Sequence, residues 1–98
     1  MPSLSVPRVL VVDDEVSICR VAEKILRREG FEVRTQLSPR QAVVDIDSEA
    51  FDIVVTDLRM SEMGGLELLD TIRTRHPDIV TIVITGYASV ASVVETMK

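Results

Sequence analysis

Acidic side chains follow two apolar segments of this 98-residue sequence, at points where they could perform chemistry. Asp13 and Asp14 come directly after RVLVV, and Asp57 comes directly after FDIVVT. Carboxylates held together in a partly desolvated cleft repel one another, so some must stay protonated or a cation must lie among them. Oxygen donors without a histidine cluster favour a hard divalent ion such as Mg²⁺, which needs few protein carboxylates because it keeps several waters.

A carboxylate beside Mg²⁺ can attack phosphorus and form an aspartyl phosphate, provided that donor and charge-neutralising groups are in line. Thr85 ends another apolar segment, IVTIVIT, and its hydroxyl could donate to a phosphoryl oxygen. Both kinds of residue also have a purely structural interpretation. Asp13 can cap a following helix, and Thr85 can cap the next turn. The grouping of Asp13 and Asp14 with Asp57 favours the metal site.

Four short segments rich in β-branched residues are predicted to form the strands that position these groups. They are Arg8 to Val12, Phe31 to Thr35, Phe51 to Thr56 and Ile79 to Thr85. Three of them are nearly continuous in apolar residues, as expected of central parallel strands covered by helices on both faces. The second, FEVRT, alternates between apolar and polar residues, which predicts a position nearer the edge of the sheet.

Segments with helical periodicity separate the strands. The first runs from Glu15 to Glu29 with Gly30 as its C-terminal stop, and the second begins at Ser38-Pro39, a capping hydroxyl followed by proline at the first helical position. A third helix is predicted from Gly65 to Arg75, and a fourth begins near Ala88 or Ser89. This alternation predicts an α/β fold with a doubly wound parallel sheet and right-handed crossovers. A strand order of 2-1-3-4 would bring the polar strand ends together.

Composition restricts the class of protein. Sixteen acidic and eleven basic residues give a net charge of −5, which repels nucleic acid phosphates, so we expect no direct DNA binding. Cys19 is the only cysteine, which excludes an intrachain disulfide and a multi-thiolate metal site and suggests a cytoplasmic location. No apolar run approaches the roughly 20 residues of a membrane span, and residues 1–7 have the composition of a loose leader.

Three motifs together resemble the receiver domain of bacterial two-component response regulators. They are VLVVDDE, FDIVVTDLRMSEMGGLELL and VTIVITGYAS, and the resemblance covers nearly the whole chain with motif order and spacing intact. It implies a flavodoxin-like fold and a phosphorylation switch that receives its phosphoryl group from a sensor histidine kinase. Such a domain is not an enzyme in the usual sense, although it can take phosphate from small donors and remove it again. The run ITGYASVASVVETMK resembles receivers of transcription activators.

The resemblance also assigns roles to individual residues. Asp57 would be the phosphoacceptor, and Asp14 and Asp57 would bind Mg²⁺ through their side chains. The backbone carbonyl of Arg59 would be a further ligand, and Asp13 would act through water. Thr85 would be the switch hydroxyl that moves toward the phosphoryl group.

The sequence departs from the family pattern in two places. Ser61 and Gly64 stand where the family usually has proline and an acidic or amide residue. The receiver domain, residues 8–98, stops at Lys98, before the family's fifth strand with its lysine and aromatic residue and before its fifth helix. We therefore expect impaired phosphotransfer. We also expect a homodimer, by pairing at the exposed fourth strand or by exchange of the fourth helix.

Three other functions share features with this sequence. A dehalogenase-like phosphatase would carry its nucleophile in a DxD motif after the first strand, where this chain has DDE. A flavodoxin would need Ser, Thr and Gly there to bind phosphate, and carboxylates repel it. A pseudo-receiver that serves only as an interaction surface, without phosphotransfer, remains open.

Overall fold

The computed structural model describes residues 6–58 and 64–84. Strands and helices alternate along them, as predicted. The elements are β1 (Arg8–Val12), α1 (Val16–Arg28), β2 (Glu32–Gln36), α2 (Pro39–Ser48), β3 (Ile53–Asp57), α3 (Gly65–Arg75) and β4 (Val80–Ile84). The predicted fourth helix and the end of the fourth predicted strand, at Thr85, lie outside the described residues.

The four strands form one parallel sheet in the order β2-β1-β3-β4, which confirms the predicted order. The alternating segment is the edge strand β2, which pairs with β1 alone among the described strands. The boundaries differ slightly from the prediction. Asp57 belongs to β3, because its pairing with Ile84 continues the ladder, whereas Phe51 precedes the strand and packs beneath the Arg8 guanidinium, 4.7 Å from the ring centre.

Local sequence signals fix the helix ends. Gly30 adopts φ +96°, a conformation that residues with a Cβ rarely adopt, and stops α1. The Ser38 hydroxyl accepts the Gln41 N–H at 3.2 Å, and Pro39 occupies the first turn of α2, both as predicted. These ends fix where each helix returns to the sheet.

Helices cover both faces of the sheet, which confirms the doubly wound architecture. The face toward α2 and α3 is packed with buried residues Leu10, Val12, Ala42, Ile46, Phe51, Val54, Leu68 and Ile72. The face toward α1 is packed with Val9, Val11, Cys19, Val33 and Val55. Burying a Val, Leu or Ile side chain contributes roughly 1.5–3 kcal/mol, so these two layers supply most of the folding free energy.

An apolar groove of about 380 Å³ lies beside α1 on the second face. Ile18, Val21 and Ile25 of α1 and Ile84 of β4 line it, together with Ser17 and Ala22. Further along β4, Val80 and Ile82 are also exposed, Val80 by 57% and Ile82 by 45%. The fourth strand is therefore apolar yet open in the described part of the molecule. No helix there is long and apolar enough to cross a membrane.

The start of α3 passes close to the end of β3. The Gly65 N–H donates to the Leu58 carbonyl oxygen at 3.0 Å, and Gly65 is buried. A Cβ on Gly65 would clash with the backbone carbonyl oxygen of Asp57 and would lie 2.6 Å from Leu58 Cα. A Cβ on neighbouring Gly64 would meet no atom within 4 Å. Only the second glycine of the pair is sterically required.

Gly65→Ser should destabilise the protein by about 1–3 kcal/mol, because rigid backbone must move to admit the new side chain. Gly64→Ser is the matched control, since serine is favoured at the helix N-cap and has room there. Urea unfolding followed by circular dichroism measures both. Equal stabilities of the two variants would contradict the steric argument.

Candidate functional site

The polar residues at the strand ends meet at the carboxyl-terminal edge of the sheet, where the parallel strands end. Val12 pairs with Thr56, so Asp13 follows β1 directly beside the position where Asp57 ends β3. Asp57 in turn pairs with Ile84. The chain places β2 on one side of β1 and then crosses to β3 and β4 on the other side, so the strand order reverses between β1 and β3. Ligands of open α/β sheets bind at such a reversal. Thr85 and Arg59, the other predicted site residues, lie outside the described residues.

Asp13 is the most buried carboxylate of this edge, with 3% of its surface exposed. Its Oδ1 accepts the Glu15 N–H at 2.9 Å, and its carbonyl oxygen accepts the Cys19 S–H at 3.4 Å. Its own N–H donates to the Gln36 carbonyl oxygen at 3.1 Å. Asp13 thus has the local structural role that the sequence left open, because its carboxylate organises the turn before α1. Only Oδ1 accepts a hydrogen bond from the described residues, so that role leaves Oδ2 for another interaction.

Burial is the main reason why the pKa of Asp13 lies above its ordinary value of 3.8. The hydrogen bond from the Glu15 N–H lowers this pKa, whereas the negative charges of Asp57, Asp14 and Glu15 raise it further. The folded protein therefore holds the Asp13 proton more tightly than the unfolded chain does. The contribution of this group to stability is greatest at acid pH and decreases as pH rises from 3.8 through the raised folded value.

The three carboxylates differ in how far they are exposed. Asp13 is buried, Asp57 is partly buried at the end of β3, and Asp14 is exposed. The charges of Asp57 and Asp14 both contribute to the raised pKa of Asp13, so the three residues lie within electrostatic range of one another. The cluster therefore extends from the interior to solvent, and a molecule arriving from solvent meets Asp14 and Asp57 first.

The donors at this edge are carboxylate oxygens, which Mg²⁺ prefers as ligands. Within residues 6–58 and 64–84, no three His, Cys, Asp or Glu side chains gather closely enough to hold a metal ion by themselves. Mg²⁺ does not need three, because it binds one or two carboxylates and completes its octahedron with water and substrate oxygens. A cation here would also offset the repulsion that raises the pKa of Asp13. The residues present therefore fit Mg²⁺.

A polar pair that the sequence did not predict lies next to this edge. Asp45 of α2 is buried, and its Oδ2 accepts the Gln36 side-chain N–H at 2.8 Å. A signal was available, because Asp45 lies between Ala42 and Ile46 on the apolar stripe of α2, where a carboxylate is unexpected. The partner was not predictable from spacing, since Gln36 lies on a different element.

Cys19 and His76 take no part in the site. Cys19 is buried, and burial together with the charge of Asp13 raises the pKa of its thiol, so it stays protonated and serves in packing. His76 contacts Asp47 at 2.8 Å, and Arg75 pairs with the same carboxylate at 2.9 Å. This cluster joins the end of α3 to α2. The hydrogen bond from His76 is the main cause that lowers the pKa of Asp47.

Comparison with known proteins gives consistent results. Residues 9–98 match the family model of the response regulator receiver domain. The transcriptional regulatory protein ZraR of Escherichia coli K12 is 39% identical over 90 residues, which cover 92% of this chain but 20% of ZraR. The chain thus spans about a fifth of the length of such curated relatives.

Solved structures show the same relationship. The beryllofluoride-activated NtrC4 receiver domain dimer is 40% identical, with a TM-score of 0.85 over 92% of this chain and 74% of that one. TrrA of Thermotoga maritima, in complex with Mg²⁺ and BeF, is 34% identical, with a TM-score of 0.81 over 84% of this chain and 71% of that one. The fold, the clustered strand-end carboxylates and these matches agree, and the chain belongs to the response regulator receiver domain family.

Proposed function

We propose that Asp57 accepts a phosphoryl group from a sensor histidine kinase and that the domain acts as a phosphorylation switch. The observation that carries this proposal is the position of Asp57 at the end of β3, where its charge helps to raise the pKa of the buried Asp13 carboxyl. Asp57 is also partly exposed, so a donor can reach it, whereas Asp13 is buried. Of the two, Asp57 is the carboxylate suited to attack an external phosphorus atom.

In the proposed reaction, a carboxylate oxygen of Asp57 forms a bond to phosphorus as the phosphorus–nitrogen bond of the phosphohistidine breaks. The electron pair of that bond returns to the imidazole, which then takes a proton. Bound Mg²⁺ would neutralise charge on the phosphoryl oxygens. Asp14 and Asp57 would hold the ion by their side chains, with the Arg59 carbonyl as a further ligand and Asp13 acting through water. The Thr85 hydroxyl would donate to a phosphoryl oxygen.

The output of the switch lies in other parts of the protein or in a partner. The relative ZraR is a transcriptional regulatory protein about five times as long as the matched segment. We propose that this domain controls a transcriptional output without touching DNA itself, because its net charge of −5 opposes contact with phosphates. The domain acts as an acceptor, and slow transfer from small phosphodonors and slow loss of phosphate would be its only activities.

Incubation with acetyl phosphate and Mg²⁺ should add the mass of one phosphoryl group to the chain. Hydroxylamine should remove the adduct, because it attacks acyl phosphates, and Asp57→Asn should prevent its formation. Asp52→Asn is the matched control, since Asp52 precedes the same strand at the opposite edge of the sheet. Intact-mass spectrometry measures all three proteins. No adduct on the unsubstituted chain would contradict the proposal and favour an interaction module without phosphotransfer.

Asp57→Asn should also raise the melting temperature of the metal-free protein at pH 7, because it removes one charge that acts on Asp13. The gain should shrink below about pH 3.8, where Asp13, whose pKa is raised above that value, is protonated and uncharged. Calorimetry in EDTA at both pH values checks this, with Asp78→Asn on an exposed turn as control. A lower melting temperature of Asp57→Asn at pH 7 would contradict it.

We further propose that a second copy of the chain pairs along β4. Among the described strands β4 has one neighbour, β3, so no described strand pairs with its other edge, which carries the exposed side chains of Val80, Ile82 and Ile84. The NtrC4 receiver, a relative at 40% identity, was solved as a dimer. Pairing would bury apolar surface that the described residues leave open.

Light scattering across a dilution series should give a dimer mass at high concentration and a monomer mass at low concentration. Ile82→Lys should shift the equilibrium to monomer, because an edge-strand lysine opposes strand pairing. Val44→Lys on α2, another exposed apolar position, is the matched control and should not. A monomer at high concentration with cooperative melting would rule out this association.

A further inference from the structure

The pair formed by Gln36 and Asp45 places a buried carboxylate and a half-buried amide beside the apolar cluster under α2. Asp45 is 7% exposed, and among the described residues its carboxylate accepts one side-chain hydrogen bond, from Gln36 Nε2 at 2.8 Å. No described ion pair includes Asp45. Burying a carboxylate is costly, and a neutral amide does not balance its charge.

Packing alone does not account for this pair. Gln36 lies next to Val12 in the β1–β2 register, and Ala42 and Ile46 lie beside Asp45 on the buried side of α2. Val12, Ala42 and Ile46 all belong to the apolar cluster beneath α2. An apolar pair of similar size would suit such surroundings at no electrostatic cost. The polar pair therefore calls for a role other than filling space.

Gln36 connects α2 to the carboxylate site. Its carbonyl oxygen accepts the Asp13 N–H at 3.1 Å, while its side chain is held by Asp45. Gln36 is the last residue of β2, an edge strand whose ladder holds it from one side only among the described strands. Without the contact to α2, this strand end would be free to fray, and the partner of the Asp13 N–H would move with it.

We propose that Gln36 and Asp45 are positioning residues that fix Asp13, and through it the carboxylate cluster, for binding of a divalent cation. The inference rests on the proposed function, because it assigns the Asp13 edge to Mg²⁺. Neither residue touches the ion. Asp45 holds the Gln36 side chain, the Gln36 carbonyl holds the Asp13 backbone, and the Glu15 N–H holds Oδ1 of the Asp13 carboxylate.

Four variants separate a positioning role from a general effect on stability. Asp45→Leu removes the acceptor but keeps the number and branching of the side-chain heavy atoms, and Asp45→Asn keeps an oxygen that can accept from Gln36. Ile46→Val, the next residue on α2, weakens the apolar cluster without touching the pair. Gln36→Met gives a second way to break the contact if Asp45→Leu does not fold. Urea unfolding establishes how much stability each variant has lost.

Amide hydrogen exchange tests the connection from Asp45 through Gln36 to Asp13 without any metal. Relative to the Leu10 amide within β1, the Asp13 amide should exchange roughly threefold to tenfold faster in Asp45→Leu. This is the change expected when the net contribution of one hydrogen bond is lost. Asp45→Asn should restore the protection, and Ile46→Val should leave the ratio of the two rates unchanged. Equal ratios in Asp45→Leu and Ile46→Val would overturn the proposal.

A Mg²⁺ titration followed through the Glu15 amide chemical shift tests the consequence. Asp45→Leu should bind Mg²⁺ several-fold more weakly than Asp45→Asn and Ile46→Val, less than the 10–100-fold typical of groups bonded directly to ligands. Equal affinities would refute positioning. If the unsubstituted chain showed no Mg²⁺-dependent shift near Asp13, the proposed metal site would fail instead, and the exchange result would still decide the link.

Discussion

The burial of the Asp13 carboxylate beside Asp14 and Asp57 is the constraint on which the arrangement of this domain depends. Three carboxylates share one edge of the sheet, and burial penalises the charge of the innermost one. A fold that only needed stability would disperse them. The chain instead gathers them at the ends of its two central strands, so the rest of the structure has to compensate for a cluster that opposes folding.

The compensation comes from the two apolar layers and from two glycines at the ends of helices. β1 and β3 are buried on both faces, which anchors the strand ends that carry Asp13 and Asp57. Gly65 lets α3 begin almost in contact with the backbone of Asp57, and Gly30 returns the chain from α1 directly to β2. The start of α3 is therefore held beside the end of β3, and the turn from α1 into β2 is short.

Sequence reasoning recovered the sheet because the information is local. The nearly continuous apolar runs of β1 and β3 and the alternation of β2 predicted which strands are central and which is at the edge, and the structure agrees. The convergence of Asp13, Asp14 and Asp57 followed from strand order alone. Strand bounds differed by one or two residues, since pairing partners, such as Ile84 for Asp57, decide where a ladder ends. Thr85 and Arg59 lie outside the described residues, and their roles stay predictions.

What the sequence did not predict depends on contacts between distant elements. The pairing of Gln36 with Asp45, and of Asp47 with Arg75 and His76, joins helices and strands whose relative rotation no periodicity reveals. A polar residue within an apolar stripe signals that a partner exists without showing which one.

This difference between local and distant information has a consequence for function. The chemistry of the site follows from residues adjacent to strands, which a motif can record. The precision with which the carboxylates are placed depends on how α2 fixes the end of β2 and on how β2 fixes Asp13, the residue after β1. A cation that binds only two carboxylates tolerates little error in where they stand, because its octahedral geometry is strict. Two receivers with identical site motifs can therefore differ in Mg²⁺ affinity through residues that never approach the ion.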